Sequence, residues 1–264
     1  NIKYNVLAIH NSNNVTVTGV NASGPAGYTS GMGISITETT NSTITGNTVH
    51  NRQSGFVIQG MGTSNNTVSS NDFSDNGYGM YLTDGYNIIG AGNVISANNL
   101  TNSKGWAIYM WGNAQLTNND LTNSVNGIQI RKLNNATFGP FDLTPYNISG
   151  IALYFNTCDN LTITGINVSG VNKVGTGLLT QLNTNVIITS SIFNDRSKGI
   201  WVYGGGMHSI YENNTTGNTY GVYQQDTNGS NVYHNNFINN VNNAYYQNST
   251  NVNWYEPSIL EGNY

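Results

Sequence analysis

Residues Gly33–Asn51 read GISITETTNSTITGNTVHN, with apolar side chains at Ile34, Ile36, Ile44 and Val49 and Thr, Ser or Asn in most other places. Apolar residues that alternate over three or four positions mark short strands with one buried face. Strands this short cannot enclose a core alone. The stretch becomes stable only where further copies stack against it, so its reading turns on whether the chain repeats.

It does repeat. A glycine opening an alternating run begins GISI at Gly33, GFVI at Gly55, GMYL at Gly79, GWAI at Gly105, GIQI at Gly127, GIAL at Gly150, GLLT at Gly177, GIWV at Gly199 and GVYQ at Gly221. The steps between these glycines are 22, 24, 26, 22, 23, 27, 22 and 22 residues, a period with turns of variable length. A second pattern runs in step with the first: apolar, any, any, Asn, any, apolar, as in Ile44/Asn47/Val49, Val68/Asn71/Phe73, Ile95/Asn98/Leu100, Leu116/Asn119/Leu121 and Val232/Asn235/Phe237. In the middle coils Phe141, Ile166 and Ser191 take the Asn position. Short strands stacked coil on coil at about 4.8 Å pair in parallel around a narrow core. The sequence therefore predicts an all-β, single-domain parallel β-helix of about 11 coils with 22–27 residues per coil. Residues 1–243 form the helix, and 244–264, which gather aromatics and contain Pro257, form its C-terminal coil and cap. No comparable cap is expected at the N-terminus, leaving a strand edge open to another chain.

Composition fits this architecture. The 264 residues are 37% hydrophobic and 8% charged, with a net charge of −4, whereas disordered chains combine low hydrophobicity with high net charge. There are 48 Asn, 51 Ser plus Thr and 31 Gly, and few of the residues that sustain helices. No apolar run reaches the roughly 20 residues of a membrane span. Eight scattered Lys and Arg give no footprint for nucleic acid. The amides have a use where the backbone leaves the strand ladder at each bend. An inward Asn can bond the freed groups and the Asn above and below it, and Asn also tolerates a left-handed backbone. A structural ladder of Asn47, Asn71, Asn98, Asn119, Asn213 and Asn235 is expected.

The Asn-rich coils, with VYHNNFINNVNNAYYQ followed by NVNW and GNY, resemble the right-handed parallel β-helix repeat proteins of archaeal, methanogen-type cell surfaces. That repeat family is related to periplasmic proteins that help mature the copper site of nitrous-oxide reductase, and distantly to pectate lyases and mannuronan epimerases. The resemblance covers nearly the whole chain and implies a right-handed helix outside the cytoplasm.

Counting from each glycine, offsets two and four should face solvent. They read Ser35/Thr37, Val57/Gln59, Tyr81/Thr83, Ala107/Tyr109, Gln129/Arg131, Ala152/Tyr154, Leu179/Gln181, Trp201/Tyr203 and Tyr223/Gln225. Tyr81, Tyr109, Tyr154, Trp201, Tyr203 and Tyr223 on this face suit packing against protein or stacking on sugar rings. A second outward column follows the Asn position by one residue and carries Asp72, Asp120 and Asp142. Stacked carboxylates invite calcium, and Asp120 with Asp142 is the one acid pair at a glycosidase spacing. The Asp-Pro-His tripeptide of the epimerases is absent. His10, His50, His208 and His234 share no coil offset that would gather them around copper. Cys158 is read as a small, half-buried turn residue. Thirteen Asn-any-Ser/Thr triplets, among them Asn14, Asn41, Asn65, Asn160, Asn213 and Asn248, permit N-glycosylation. Broken Thr-any-Thr columns argue against an ice-binding face. Together these features predict an extracellular, non-catalytic solenoid that assembles with itself at a cell surface, as a layer, sheath or filament. The alternative is a polysaccharide-active or glycan-binding β-helix, with a lyase or glycosidase as the enzyme class.

Overall fold

The computed structural model describes residues 5–27, 30–83, 85–255 and 262–264. Pro257, read as part of the cap, lies outside them. Backbone contacts divide the chain into two compact units, 1–130 and 131–264. Each is a stack of right-handed β-helix coils whose strands pair in parallel. The one helical element among the described residues is a 3-10 turn, Thr144–Tyr146.

In the first unit a long face is formed by Leu7–His10, Met32–Thr37, Ser54–Gln59, Tyr78–Leu82, Trp106–Trp111 and Asn126–Arg131 in that spatial order. A short face stacks Thr16–Thr18, Thr43–Thr45, Thr67–Ser69, Val94–Ser96 and Gln115–Thr117. Single bridges through Asn21, Thr48, Asp72, Asn99 and Asp120 complete the coils. In the second unit the long face holds Ile151–Asn156, Thr176–Gln181, Lys198–Tyr203, Tyr220–Gln225 and Asn242–Gln247. Two shorter faces there run from Ala136–Phe138 to Asn231–Tyr233 and from Phe141–Asp142 to Asn236–Ile238.

Register converts the sequence period into a core. Ile34, Phe56, Met80 and Ile108 stack in one buried column and Ile36, Ile58, Leu82 and Met110 in the next. Phe56 lies flat on Phe73 of the following bend, with centroids 5.6 Å apart. The glycine at the second position of a long strand is there for want of space: a Cβ on Gly55 would stand 2.7 Å from the Gly79 carbonyl oxygen and 2.8 Å from Phe73 Cβ. Two of the nine glycine anchors are out of register by two residues. Met80 pairs with Ile108 and Leu153 with Leu178, so Ala107 and Ala152, not Gly105 and Gly150, take the anchor position. Both alanines are fully buried, against the solvent exposure expected of them. Ser35, Val57, Thr83, Gln129 and Leu179 are buried as well. Ser35 is covered by Asn5, whose Nδ2 donates to its hydroxyl at 2.8 Å.

The Asn ladder is present and continuous where Asn occupies the position. Asn47 Nδ2 donates to Asn71 Oδ1 (2.9 Å), Asn71 Nδ2 to Asn98 Oδ1 (2.9 Å) and Asn98 Nδ2 to Asn119 Oδ1 (2.9 Å). Each Asn also accepts the backbone N–H of the previous coil and donates to a carbonyl there, as Asn71 does with Asn47 N and Ile44 O, both at 3.0 Å. In the second unit Asn213, Asn235 and Asn263 repeat this. The tail is thus more regular than its composition suggests: 242–247 adds a rung to the long face, and Asn263 of the GNY motif extends the ladder.

The ladder asparagines do not adopt the left-handed backbone; other asparagines do. Among the described residues, 30 non-glycine residues have positive φ and 16 of these are Asn, and the ladder members are not among them. Amide chemistry and left-handed geometry are divided between separate columns. A further inward column stands three residues before the glycine anchors: Arg52, Asn76, Ser124, Arg196 and Asn218 are buried there. Among the described residues Arg196 has no carboxylate partner. Its Nε, Nη1 and Nη2 donate to the carbonyls of Val168 (3.0 Å), Ile148 (2.6 Å) and Ser169 (3.1 Å), and burial lowers its pKa to about 10. In the first unit Arg52 Nε and Nη2 donate to the carbonyls of Ala22 and Ser23.

Candidate functional site

On the long face of the second unit, strand register places Tyr154, Leu179, Trp201, Tyr223 and Tyr245 in one column. Parallel pairing sets successive rungs about 4.8 Å apart, so the last three form an unbroken aromatic row. Trp201 meets Tyr223 edge-on at 6.0 Å, and Tyr223 stacks on Tyr245 at 5.2 Å. Tyr203 and Tyr220 flank the row. The rings are held from the side: the Tyr154 hydroxyl donates to Gln181 Oε1, and that of Tyr223 to Gln247 Oε1 at 2.8 Å. Lys198 Nζ lies 4.3 Å from the centre of the Trp201 ring and 5.1 Å from that of Tyr223. Burial pulls the pKa of this ammonium down. Trp201 Nε1 is buried without an acceptor among the described residues.

The first unit carries a smaller aromatic group on its long face. Tyr81 and Tyr109 stack at 4.9 Å with rings 3° from parallel, and Tyr78 meets both edge-on. The Trp111 indole donates to the Tyr109 hydroxyl at 3.0 Å. Tyr81 and Tyr109 share a column because the anchor in that coil is Ala107 rather than Gly105. The sequence reading selected these two tyrosines but placed them at different offsets. It missed Lys198, Tyr220 and Tyr245. Tyr245 is the next step of the Trp201 column, and the period would have found it had the tail not been read as a cap.

The acidic column disperses. In the first unit it runs Thr48, Asp72, Asn99, Asp120, so an amide separates the two carboxylates. Asp142 belongs to the second unit and pairs with Asn167. Each carboxylate fastens the turn that follows it: Asp72 Oδ1 accepts from Ser74 N and Oγ, Asp120 Oδ1 from Thr122 N and Oγ1, and Asp142 Oδ1 from Thr144 N. Asp72 also pairs with His50 (2.9 Å). Burial opposes ionisation of Asp72, but the bonds from Ser74 and His50 hold its carboxyl below the usual range.

Cys158 is fully buried rather than half-buried, because it fills an inward bend position: its Sγ accepts Leu133 N (3.4 Å) and its N donates to Asn183 Oδ1 (2.7 Å). Burial pushes its thiol pKa up to about 11. His208 is likewise interior, with Nδ1 accepting Val186 N (3.4 Å) and burial lowering its pKa to about 4. Among the glycosylation candidates, Asn14, Asn41, Asn65, Asn160 and Asn248 are exposed and left-handed. The triplet has a structural origin at Asn14, Asn41 and Asn65, each of which precedes a strand whose first residue is the Thr two positions on. Asn213 is excluded, since it is buried and its Nδ2 donates to Ile188 O, Tyr211 O and Asn235 Oδ1.

Two family models match. One, described as a right-handed β-helix region, covers residues 1–140, and the other, described as periplasmic copper-binding protein (NosD), covers residues 88–264. The chain belongs to the right-handed β-helix family of NosD type. No curated protein sequence matches it. Solved structures similar to this β-helix include the A-module of mannuronan C-5 epimerase AlgE6 of Azotobacter vinelandii, at 16% identity and TM-score 0.43, with 93% of this chain and 65% of that one covered. An alginate lyase of Paenibacillus sp. str. FPU-7 gives 12% identity and 0.47, covering 94% and 99%. The surface protein and adhesin PfbA of Streptococcus pneumoniae gives 12% and 0.47, covering 89% and 77%. The β-helix thus spans just under two thirds of the epimerase module's length.

The NosD description raises copper. Among the described residues no group of three or more His, Cys, Asp and Glu side chains is placed to hold a metal ion. Three of the donors that copper prefers are engaged: His50 with Asp72, His208 and Cys158 with backbone N–H groups. These residues do not fit a resident copper ion. Among the described residues no helix is long and apolar enough to cross a membrane.

Proposed function

We propose that this β-helix works outside the cytoplasm, in a periplasm or at a cell surface, as a glycan-binding module that holds an acidic polysaccharide along the long face of its second unit. The observation that carries the reading is the row Trp201, Tyr223, Tyr245 with the Lys198 ammonium against its first two rings. Aromatic faces fixed on a rigid sheet stack on the apolar faces of sugar rings at small entropic cost, because the rings are already ordered. An ammonium at the same place supplies a partner for a sugar carboxylate. The buried, unpartnered Trp201 N–H supports the reading further. Such a group costs on the order of 1–3 kcal/mol. Leu179 fills the preceding rung of the same column without that cost, so packing alone gives no reason for an indole.

The test is affinity electrophoresis of the purified protein through gels containing polygalacturonate or alginate, beside neutral glucan. Retardation in the acidic gels, abolished by Trp201→Ala and weakened by Lys198→Gln, is the expected result. Equal mobility in all gels refutes the reading.

One observation favours self-assembly as a second reading. Every residue of Asn242–Gln247 is exposed, including Ala244, whose register partner Val222 is fully buried. A rung whose inner side is open can accept another coil. Sedimentation velocity separates the two: concentration-dependent polymers favour assembly, and discrete monomers with glycan retardation favour the binding module.

A further inference from the structure

A cavity of about 330 Å³ opens on the long face of the first unit, lined by Met32, Gln53, Ser54, Gln59, Tyr78 and Tyr81. Its position follows from the register. Met32, Ser54 and Tyr78 begin three successive strands and stack in one column, while Gln59 ends the middle strand and Tyr81 stands on the next coil. Val57, on the strand between Ser54 and Gln59, is fully buried. The cavity therefore spans neighbouring coils of a rigid sheet.

Its chemistry differs from that of the row around Trp201. None of the six lining side chains is charged. Two primary amides offer donors and acceptors together, and a serine hydroxyl offers both. Tyr78 stands edge-on to Tyr81 at 5.4 Å, and Tyr81 is backed by Tyr109, so the aromatic wall is braced from behind. A braced aromatic wall with amides opposite suits a ligand with an apolar face and a rim of neutral hydroxyls. The volume lies at the small end of ligand pockets, which limits the occupant to about one ring of a chain. A carboxylate or phosphate would find no counter-charge here and would lose its hydration without compensation.

We infer that this cavity is a second saccharide site, specific for a neutral sugar ring, and separate in location and charge preference from the site proposed on the second unit. The inference does not rest on the other reading; either can fail alone. Titration by calorimetry and saturation-transfer NMR, using maltotriose, cellotriose and mannotriose as neutral probes and trigalacturonate as the acidic one, tests it. At least one neutral trimer should bind and give its strongest saturation from tyrosine protons. Tyr81→Ala should weaken that binding by about tenfold or more, and Gln53→Ala with Gln59→Ala by about fivefold, in the range of one lost stacking or hydrogen-bonding contact. The glutamines are at the surface, so the double variant decides the matter if Tyr81→Ala does not fold. The inference is overturned if no neutral trimer binds at millimolar concentration. It is equally overturned if binding survives the Gln53/Gln59 change undiminished, or if trigalacturonate competes for the same residues.

Discussion

Replacing Asn71 by Ala tests how the coils are held together. Asn71 accepts the N–H of Asn47 at 3.0 Å and its Nδ2 at 2.9 Å, and donates to Ile44 O, Ser69 O and Asn98 Oδ1 at 2.9–3.0 Å. With the side chain gone, the Asn47 backbone N–H loses its acceptor inside the stack, while the Ile44 carbonyl keeps its place in the parallel ladder opposite Val68. Asn47 Nδ2 keeps its bonds to Val17 O and Thr45 O, and Asn98 Oδ1 keeps the Asn71 backbone N–H. One orphaned buried N–H gives a loss of about 1–3 kcal/mol. Asn99→Ala, next along but half-buried, removes a bond to Asp72 and a turn contact to Thr101 and should cost under about 1 kcal/mol. Urea unfolding followed by far-ultraviolet circular dichroism measures both. A cost for Asn71→Ala no larger than that for Asn99→Ala would refute the ladder as a source of stability.

Three further outcomes are expected. The folded-state pKa of His208, about 4, lies below the ordinary 6.5, so the unfolded chain binds the extra proton first as pH falls. Stability should be full above pH 6.5 and decline toward pH 4 by up to about 3 kcal/mol, and His208→Asn should flatten the urea midpoint across that window. Gly55→Ala should lower stability by about 1–3 kcal/mol, since the new Cβ meets the Gly79 carbonyl and Phe73; an unchanged melting temperature would contradict the packing. Cys158, buried and with its thiol pushed to about 11, should react with a disulfide reagent only after denaturation, and rapid labelling of native protein would contradict its placement.

The repeat made the fold legible because most coils answer the same physical demand: apolar residues at alternate positions, an inward amide at the bend, and a glycine or alanine near the start of the long strand. The second inward column was legible in principle, as Arg52, Asn76, Ser124, Arg196 and Asn218 all stand three residues before a glycine anchor. Two buried arginines argue against that reading on composition, and only their carbonyl partners explain them. The aromatic row was partly legible. An anchor of Ala in place of Gly moved Tyr109 and Tyr154 by one column, a substitution that periodicity alone does not reveal. In the acidic column an Asp one place after the bend has a local use, bonding the N–H two residues on, which requires no neighbour on the next coil. Where Phe141 and Ile166 interrupt the ladder, Phe141 N turns to the Gly165 carbonyl at 3.4 Å and Ile166 N to Ser191 Oγ at 3.2 Å, so the chain tolerates an apolar residue only with substitute acceptors.

The most direct measurement of the functional account is a crystal structure with an acidic oligosaccharide, trigalacturonate or a trimer of mannuronate, at saturating concentration. The account predicts a sugar ring against Trp201 and Tyr223 with its carboxylate within hydrogen-bonding distance of Lys198 Nζ. Sugar bound elsewhere while this row stays bare, or no sugar at all, would contradict it.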